Sequence, residues 1–472
     1  MNAVALSLTD GPRRPRGAAR HAALLALLLA MPYSSTPRAA ATDPAVSVDD
    51  HSREAYSRPL PGLDDGERAR FEHGRSLFRQ AWVVAPASDE RVDGLGPLYN
   101  RLTCIACHPK NGHGQAPAHT GARMQSMLIR LSVPGRDAHG GPRPHPVYGD
   151  QLNEEGIPGV PGEGRAVLHW ETHEVALADG ERVELRQPRV EFRELAYGAL
   201  DGGPGGVRVS ARVGPPVFGL GLLEAVAPQT LAALARETKP DGVRGRVNQV
   251  WHVERKRMEP GRFGLKANMP DLRQQIAGAL LGDLGLTSPL FPEENCSPAQ
   301  TACRAAPRGG RPEIDGGQLD ALEFYFAHLA VPARRNADDP VVRRGEAHFA
   351  ALGCASCHRP ALRTGPHPRF TRLSGREIAP YTDLLVHDMG AGLADHRPDY
   401  LASGREWRTP PLWGIGLVAR INEHSEFLHD GRARNLTEAI LWHGGEAQAA
   451  RDRFAALDRE ARAALLAFLN SL

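Results

Sequence analysis

"LGCASCHRP" (residues 352–360) and "LTCIACHPK" (residues 102–110) carry one pattern, Cys-x-x-Cys-His, twice in the same chain. Two thiols at this spacing can add across the two vinyl groups of a porphyrin. An imidazole on the same turn then faces the iron, which makes the pattern the attachment signature of c-type haem. A redox dithiol or a zinc ribbon needs the Cys-x-x-Cys alone. With 6 Cys and 20 His among 472 residues, chance yields roughly 0.003 copies, so two copies carry meaning. A four-cysteine zinc site built from Cys104, Cys107, Cys354 and Cys357 has the right ligand number, but it leaves His108 and His358 without a purpose. The expectation is two covalently bound haem c groups, with His108 and His358 as iron ligands.

The N-terminus points to a compartment where such attachment takes place. Arg13, Arg14, Arg16 and Arg20 precede the apolar run "AALLALLLAM" (22–31), and Ala39 and Ala41 supply an A-x-A cleavage site. Residues 1–41 read as a secretory signal peptide, too short in its apolar part to span a bilayer. A periplasmic location is expected, with no membrane attachment after signal removal. Residues 1–41 hold five of the 57 Lys and Arg and one of the 55 Asp and Glu, so 52 and 54 remain and the net charge is near −2. That balance excludes the basic surface a nucleic-acid binder needs. The remaining two cysteines, Cys296 and Cys303 in "ENCSPAQTACR", are far from any haem motif and are expected to form a disulfide after export.

Organisation follows the two motifs. "DDGERARFEHGRSLFRQAW" (64–82) is an amphipathic helix ahead of the first, and "DPVVRRGEAHFAALGCASCH" (339–358) repeats the arrangement ahead of the second. Gly345 and Phe349 echo Gly74 and Phe78. "AVPARRNADDP" (330–340) reads as a linker, and "LDREARAALLAFLNSL" (457–472) as a terminal helix. Between the motifs, "RAVLHWETHEVALADGERVELRQPRVEF" (165–192) alternates about Asp179-Gly180 and reads as a β-hairpin, with His169, Trp170 and His173 at surface and packing positions. The expected fold is mainly α: two cytochrome c-like haem domains, at 60–330 and 338–472, with a β-rich insertion at about 135–210.

Five stretches, "DGLGPLYNRLTCIACH" (93–108), "GRFGLKANMPDLRQQIAGALLGDLGLTSPLFPEENC" (261–296), "VHDMGAGLAD" (386–395), "GREWRTPPLWGIGL" (404–417) and "FLHDGRARNLTEAILWHGG" (427–445), resemble the bacterial di-haem oxidoreductases. That family is related to the di-haem cytochrome c peroxidases. The resemblance implies hydrogen peroxide or another small oxidant as substrate, a small periplasmic cytochrome c or copper protein as electron donor, and calcium between the domains. It places a distal ligand of the His358 haem at His443. Met389 is the rival ligand, and a helix-end histidine bonding backbone carbonyls is the plain structural alternative for His443. The catalytic Gln of the peroxidases falls on Gln275. Their Glu falls on or beside Gly285, so Asp283 is the nearest substitute; both are equally readable as ordinary helix polar residues. His113 and His119 are candidate resting-state ligands of the His108 haem, or loop residues. Trp251, Trp407 and Trp413 are core residues unless one lies between the haems. Two further functions fit the same motifs: a non-catalytic di-haem electron carrier with both irons six-coordinate, and a di-haem oxygenase using dioxygen.

Overall fold

Asp64 opens the first helix by accepting a bond from the Glu67 amide at 2.8 Å, while the Glu67 carboxylate accepts one from the Asp64 amide at 3.1 Å. The structure, a computed structural model, describes residues 41–472; apart from Ala41, the export signal expected at 1–41 lies outside them. The elements that bear on the site are, in chain order, α1 (Asp65–Arg79), β1 (Met127–Arg136), β2 (Arg165–Ala176), β3 (Arg182–Arg193), β4 (Arg208–Val213), α2 (Leu272–Leu284), α3 (Gly316–Ala327), α4 (Pro340–Ala351), β5 (Val386–Asp388), β6 (Glu406–Arg408), α5 (Leu436–Leu441) and α6 (Arg459–Ser471).

The sequence repeat becomes two helix pairs. Helix α1 buries Phe71, Gly74, Leu77 and Phe78, which share one helical face, against α3. Phe71 and Phe78 lie 4.9 and 5.6 Å from the ring of Tyr325. Gly74 is required there, because a Cβ would come within 2.2 Å of the Ala321 carbonyl oxygen. Helix α4 starts on Asp339, buries Val342, Gly345 and Phe349, and packs on α6. A Cβ at Gly345 would stand 1.9 Å from the Ala464 carbonyl oxygen, and Phe349 meets Phe468 at 5.1 Å. Each pair is the centre of its own apolar cluster. Burial of each phenylalanine contributes about 1.5–3 kcal/mol.

The hairpin is where the alternation places it. Strands β2 and β3 pair antiparallel from Ala176↔Arg182 to Arg165↔Arg193, with Gly180 at φ 84° in the turn. The tip of the ribbon reaches the second helix pair: Arg462 of α6 binds Asp179 at 2.6 Å and Glu181 at 2.7 Å, and the buried Leu177 and Leu185 join the apolar cluster of Phe349 and Phe468. His169 pairs with Glu191 at 2.7 Å and His173 stands edge-on to Trp442. Strand β1 pairs antiparallel with β4, from Met127↔Val213 to Ser132↔Arg208, inside a four-stranded sheet.

The expected mainly α fold with two cytochrome c-like haem domains is corrected by these elements. Helix accounts for 30% of the described residues and strand for 19%, in seven separate sheets. Strand pairs are not confined to an insertion: Gln249–His252 with Arg257–Pro260, Leu362–Arg363 with Glu377–Ile378, and β5 with β6 lie in or near both motif-bearing halves. The chain's 50 Gly and 39 Pro break helices and leave connections that satisfy their backbone groups in short ladders. Among the described residues no helix is long and apolar enough to cross a membrane.

Candidate haem cavity

Both Cys-x-x-Cys-His motifs fold into the same local structure, a single 3-10 turn at Cys104–Ala106 and at Cys354–Ser356. In the first, the Cys107 and His108 amides both donate to the Cys104 carbonyl at 3.1 Å. In the second, Cys357 and His358 donate to Cys354 at 3.3 and 3.0 Å. The first turn is anchored from behind. Tyr325 of α3 donates to Asn111 at 2.8 Å, just beyond the first motif, and the Asn100 amide donates to the Asp283 carbonyl at 2.8 Å, just before it.

The two histidines share one hydrogen-bonding pattern, which leaves Nε2 able to bind a metal. Nδ1 of His108 stands 2.8 Å from the Pro215 carbonyl, and Nδ1 of His358 2.9 Å from the Tyr381 carbonyl. A carbonyl only accepts, so Nδ1 carries the proton and Nε2 presents its lone pair. Burial lowers both imidazole pKa values to about 4, which keeps them neutral. Behind the first ring, a Cβ at Gly214 would lie 3.1 Å from His108. Cys104, Cys107, Cys354 and Cys357 are free, and burial raises the thiols of Cys104, Cys107 and Cys354 to about 12. They are not gathered at one point: among the described residues no three His, Cys, Asp or Glu side chains are grouped to hold a metal ion. That sets aside the four-cysteine zinc site, and it leaves the calcium expected from the resemblance without such a cluster.

A cavity of about 430 Å³ runs continuously from Cys107 and His108 to Cys354, Cys357 and His358. Its walls are mostly apolar, as a porphyrin requires. In the half that holds His358, two of the expected ligands face the space. His443 follows α5, its Nδ1–H donates to the Ala439 carbonyl at 2.8 Å, and its Nε2 is left for the cavity. It lies close enough to His358 for a charge on one ring to depress the other's pKa. Met389, next after β5, lines the same half. Their loops touch, since a Cβ on Gly444 would meet the Met389 carbonyl at 3.0 Å. A residue not foreseen from sequence stands beside them. His387 faces Asp383 at 3.0 Å, Glu446 at 2.8 Å and the Cys357 sulfur at 3.6 Å. Desolvation would neutralise it, but these partners raise its pKa to about 12, so it is an imidazolium.

In the half that holds His108, α2 supplies Gln275, Ile276, Ala279 and Asp283 to the wall, residues on one face of the helix. Gln275 Oε1 is buried without a hydrogen-bond partner. Asp283 is half-buried, accepts from Gln151 Nε2 at 2.9 Å, and has its pKa raised by desolvation. The two are not neighbours. Asp283 acts electrostatically on Cys104 and Cys107, raising both thiols, whereas Gln275 lies two turns away. His113 lines the cavity with Nδ1–H donating to the Gly114 carbonyl at 2.6 Å; His119 is exposed. Trp407 and Trp413 also line the cavity. Trp407 stacks on His429 with ring centres 3.7 Å apart and carries the Lys266 ammonium 4.1 Å from its ring. Trp251 instead stacks on His139.

A family model described as "Di-haem oxidoreductase, putative peroxidase" matches residues 36–472. The chain belongs to this family. No curated protein and no solved structure matches it. The family's description implies two haems, and the cavity has two equivalent turns at its ends. The neutral imidazoles, free thiols and apolar walls fit that group. Cys296 and Cys303 lie apart from the cavity and are joined as a disulfide.

Proposed function

We propose that this di-haem oxidoreductase reduces hydrogen peroxide in the periplasm, with electrons from a small cytochrome c or copper protein, and that both haems are covalently attached. The observation that carries the reading is Gln275 Oε1, a buried polar atom without a protein partner on the wall of the His108 half. Such an atom is costly unless a ligand satisfies it. Bound haem supplies electron storage and a site for the oxidant; the net change is one peroxide, two electrons and two protons to two waters.

The chain's own residues organise the rest. His108 and His358 would each hold a haem iron through a neutral nitrogen, and His443 would be a further ligand in the second half, with Met389 as its rival. Gln275 orients the oxidant by hydrogen bonding. Asp283, its pKa raised by desolvation, is the proton-exchanging group on the wall of the same cavity. We assign one haem to the turn within 60–330 and one to the turn within 338–472.

A second reading, a non-catalytic electron carrier, is favoured by one observation: His113 also presents a free Nε2 to the His108 half. Steady-state oxidation of a reduced small cytochrome c by hydrogen peroxide separates the two. Turnover that falls in Gln275→Ala supports peroxide reduction; absence of turnover in the holoprotein, with both haems six-coordinate throughout, rejects it.

A further inference from the structure

Three of the four arginines that line the cavity have a carboxylate. Arg130 binds Asp150 at 2.7 Å, Arg212 binds Asp399 at 2.8 Å, and Arg451 binds Asp452 at 2.8 Å. Three buried cations further from it are paired likewise: Lys266 with Asp395, Lys239 with Asp383, and Arg432 with Asp430; the buried Arg262, outside the cavity lining, binds only the Pro260 and Val226 carbonyls. Arg408, the last residue of β6, is the arginine of the cavity lining that has no carboxylate. Its Nε donates to the Gly264 carbonyl at 3.0 Å and its Nη1 to the Thr409 carbonyl at 3.2 Å. Nη2 has no protein partner, and the side chain lines the cavity. Desolvation, unopposed by any acid, lowers its pKa to about 10.

A guanidinium removed from water with only carbonyls to bind is destabilising unless an anion joins it. The fork left open by Nη2 suits a carboxylate. Arg408 also sits at a junction. It pairs across β5–β6 with Val386, the neighbour of His387, which touches Cys357. Its side chain is held by Gly264, which follows Phe263 of the first apolar cluster. A haem carries two propionates into a mostly apolar cavity, and these need a cation.

We propose that Arg408 receives a haem propionate where the two halves of the cavity meet, and thereby helps to set the potential of that haem. The proposal rests on haem filling the cavity and is independent of which oxidant is reduced. It is tested by spectroelectrochemical titration of the holoprotein without peroxide, comparing unaltered protein with Arg408→Gln and Arg408→Lys. Loss of the cation favours ferric iron, so R408Q is expected to lower the midpoint potential of at least one haem, and R408K to restore it most of the way. The haem that moves identifies the source of the propionate; a shift in both means that each haem supplies one. Unchanged midpoints in R408Q that still holds two haems overturn the proposal. Should R408Q not mature, a crystal structure of the unaltered holoprotein decides: a propionate oxygen within about 3.2 Å of the guanidinium supports it, and a guanidinium bound only to carbonyls or to a free anion overturns it.

Discussion

Gln275 and Asp283 enter one cavity from one face of α2, yet eight residues separate them, about 12 Å along the helix axis. They therefore cannot act on the same two atoms. Removing the Gln275 amide should cost turnover with peroxide about 10²-fold, the usual loss for one preorganised hydrogen-bonding group. Asp283→Asn should act separately, through the Cys104 turn, and the two free-energy effects should add in the double variant. Steady-state kinetics on the three proteins checks this; strong non-additivity would mean that the residues share one reacting site.

Covalent attachment has a mass. Extraction with acid-acetone should leave two haem increments on the intact chain, and Cys104→Ala with Cys107→Ala should leave one. A chain that releases either haem from the unaltered protein would show that the turn binds without bonding.

His443 and Met389 line the same half of the cavity on loops that touch, and they are the two candidates for one ligand position. With His443 as ligand, His443→Ala opens a coordination site and gives a new high-spin signal in the ferric protein, while Met389→Ala leaves the spin state alone. His443→Met should raise the potential, because thioether favours ferrous iron, by a clear fraction of the roughly 0.8 V that axial ligands span. The opposite pattern in the two alanine variants assigns the site to Met389.

The two glycines that let the helix pairs close should be intolerant. Gly345→Ala places a Cβ 1.9 Å from the Ala464 carbonyl oxygen, where backbone rather than a mobile side chain must yield. Overpacking of this kind costs about 1–3 kcal/mol or more, readable as a lowered urea midpoint. An unchanged midpoint would show that α4 and α6 can move apart freely.

Glu163 links stability to pH. It is 1% exposed, and burial raises its pKa to about 8, against the bonds it accepts from the Asn153 amide and Gln300. A carboxyl raised in the fold is neutral there, so its contribution is complete below about pH 4.5, its unfolded value, and is lost as pH rises through 8. Glu163→Gln should remove that decline. Parallel pH–stability curves for the two proteins would refute the shift.

Much of this was readable beforehand, and the reason is spacing. Cys104, Cys107 and His108 are contiguous, as are their counterparts at 354–358. Gly74 and Phe78 against Gly345 and Phe349 repeat at equal intervals, and β2–β3 alternates over twelve residues a strand. The short ladders are not legible in the sequence, because strands of two to four residues carry too little period to read. The partners around the cavity come from distant segments: His387 is clamped by Glu446, 59 residues on, and Trp407 meets both Lys266 and His429. The spacing of Gln275 and Asp283 was legible as two turns of one helix, but their different surroundings were set by where Asn100 and Cys104 dock.

The central claim is that one haem is closed by two imidazoles while the other, at His108, meets the oxidant. The most direct measurement is the EPR spectrum of the ferric protein before and after hydrogen peroxide. The account predicts a low-spin bis-imidazole signal from the His358 half that persists, and a second signal that peroxide changes or removes. Two low-spin signals, both indifferent to peroxide, would contradict it.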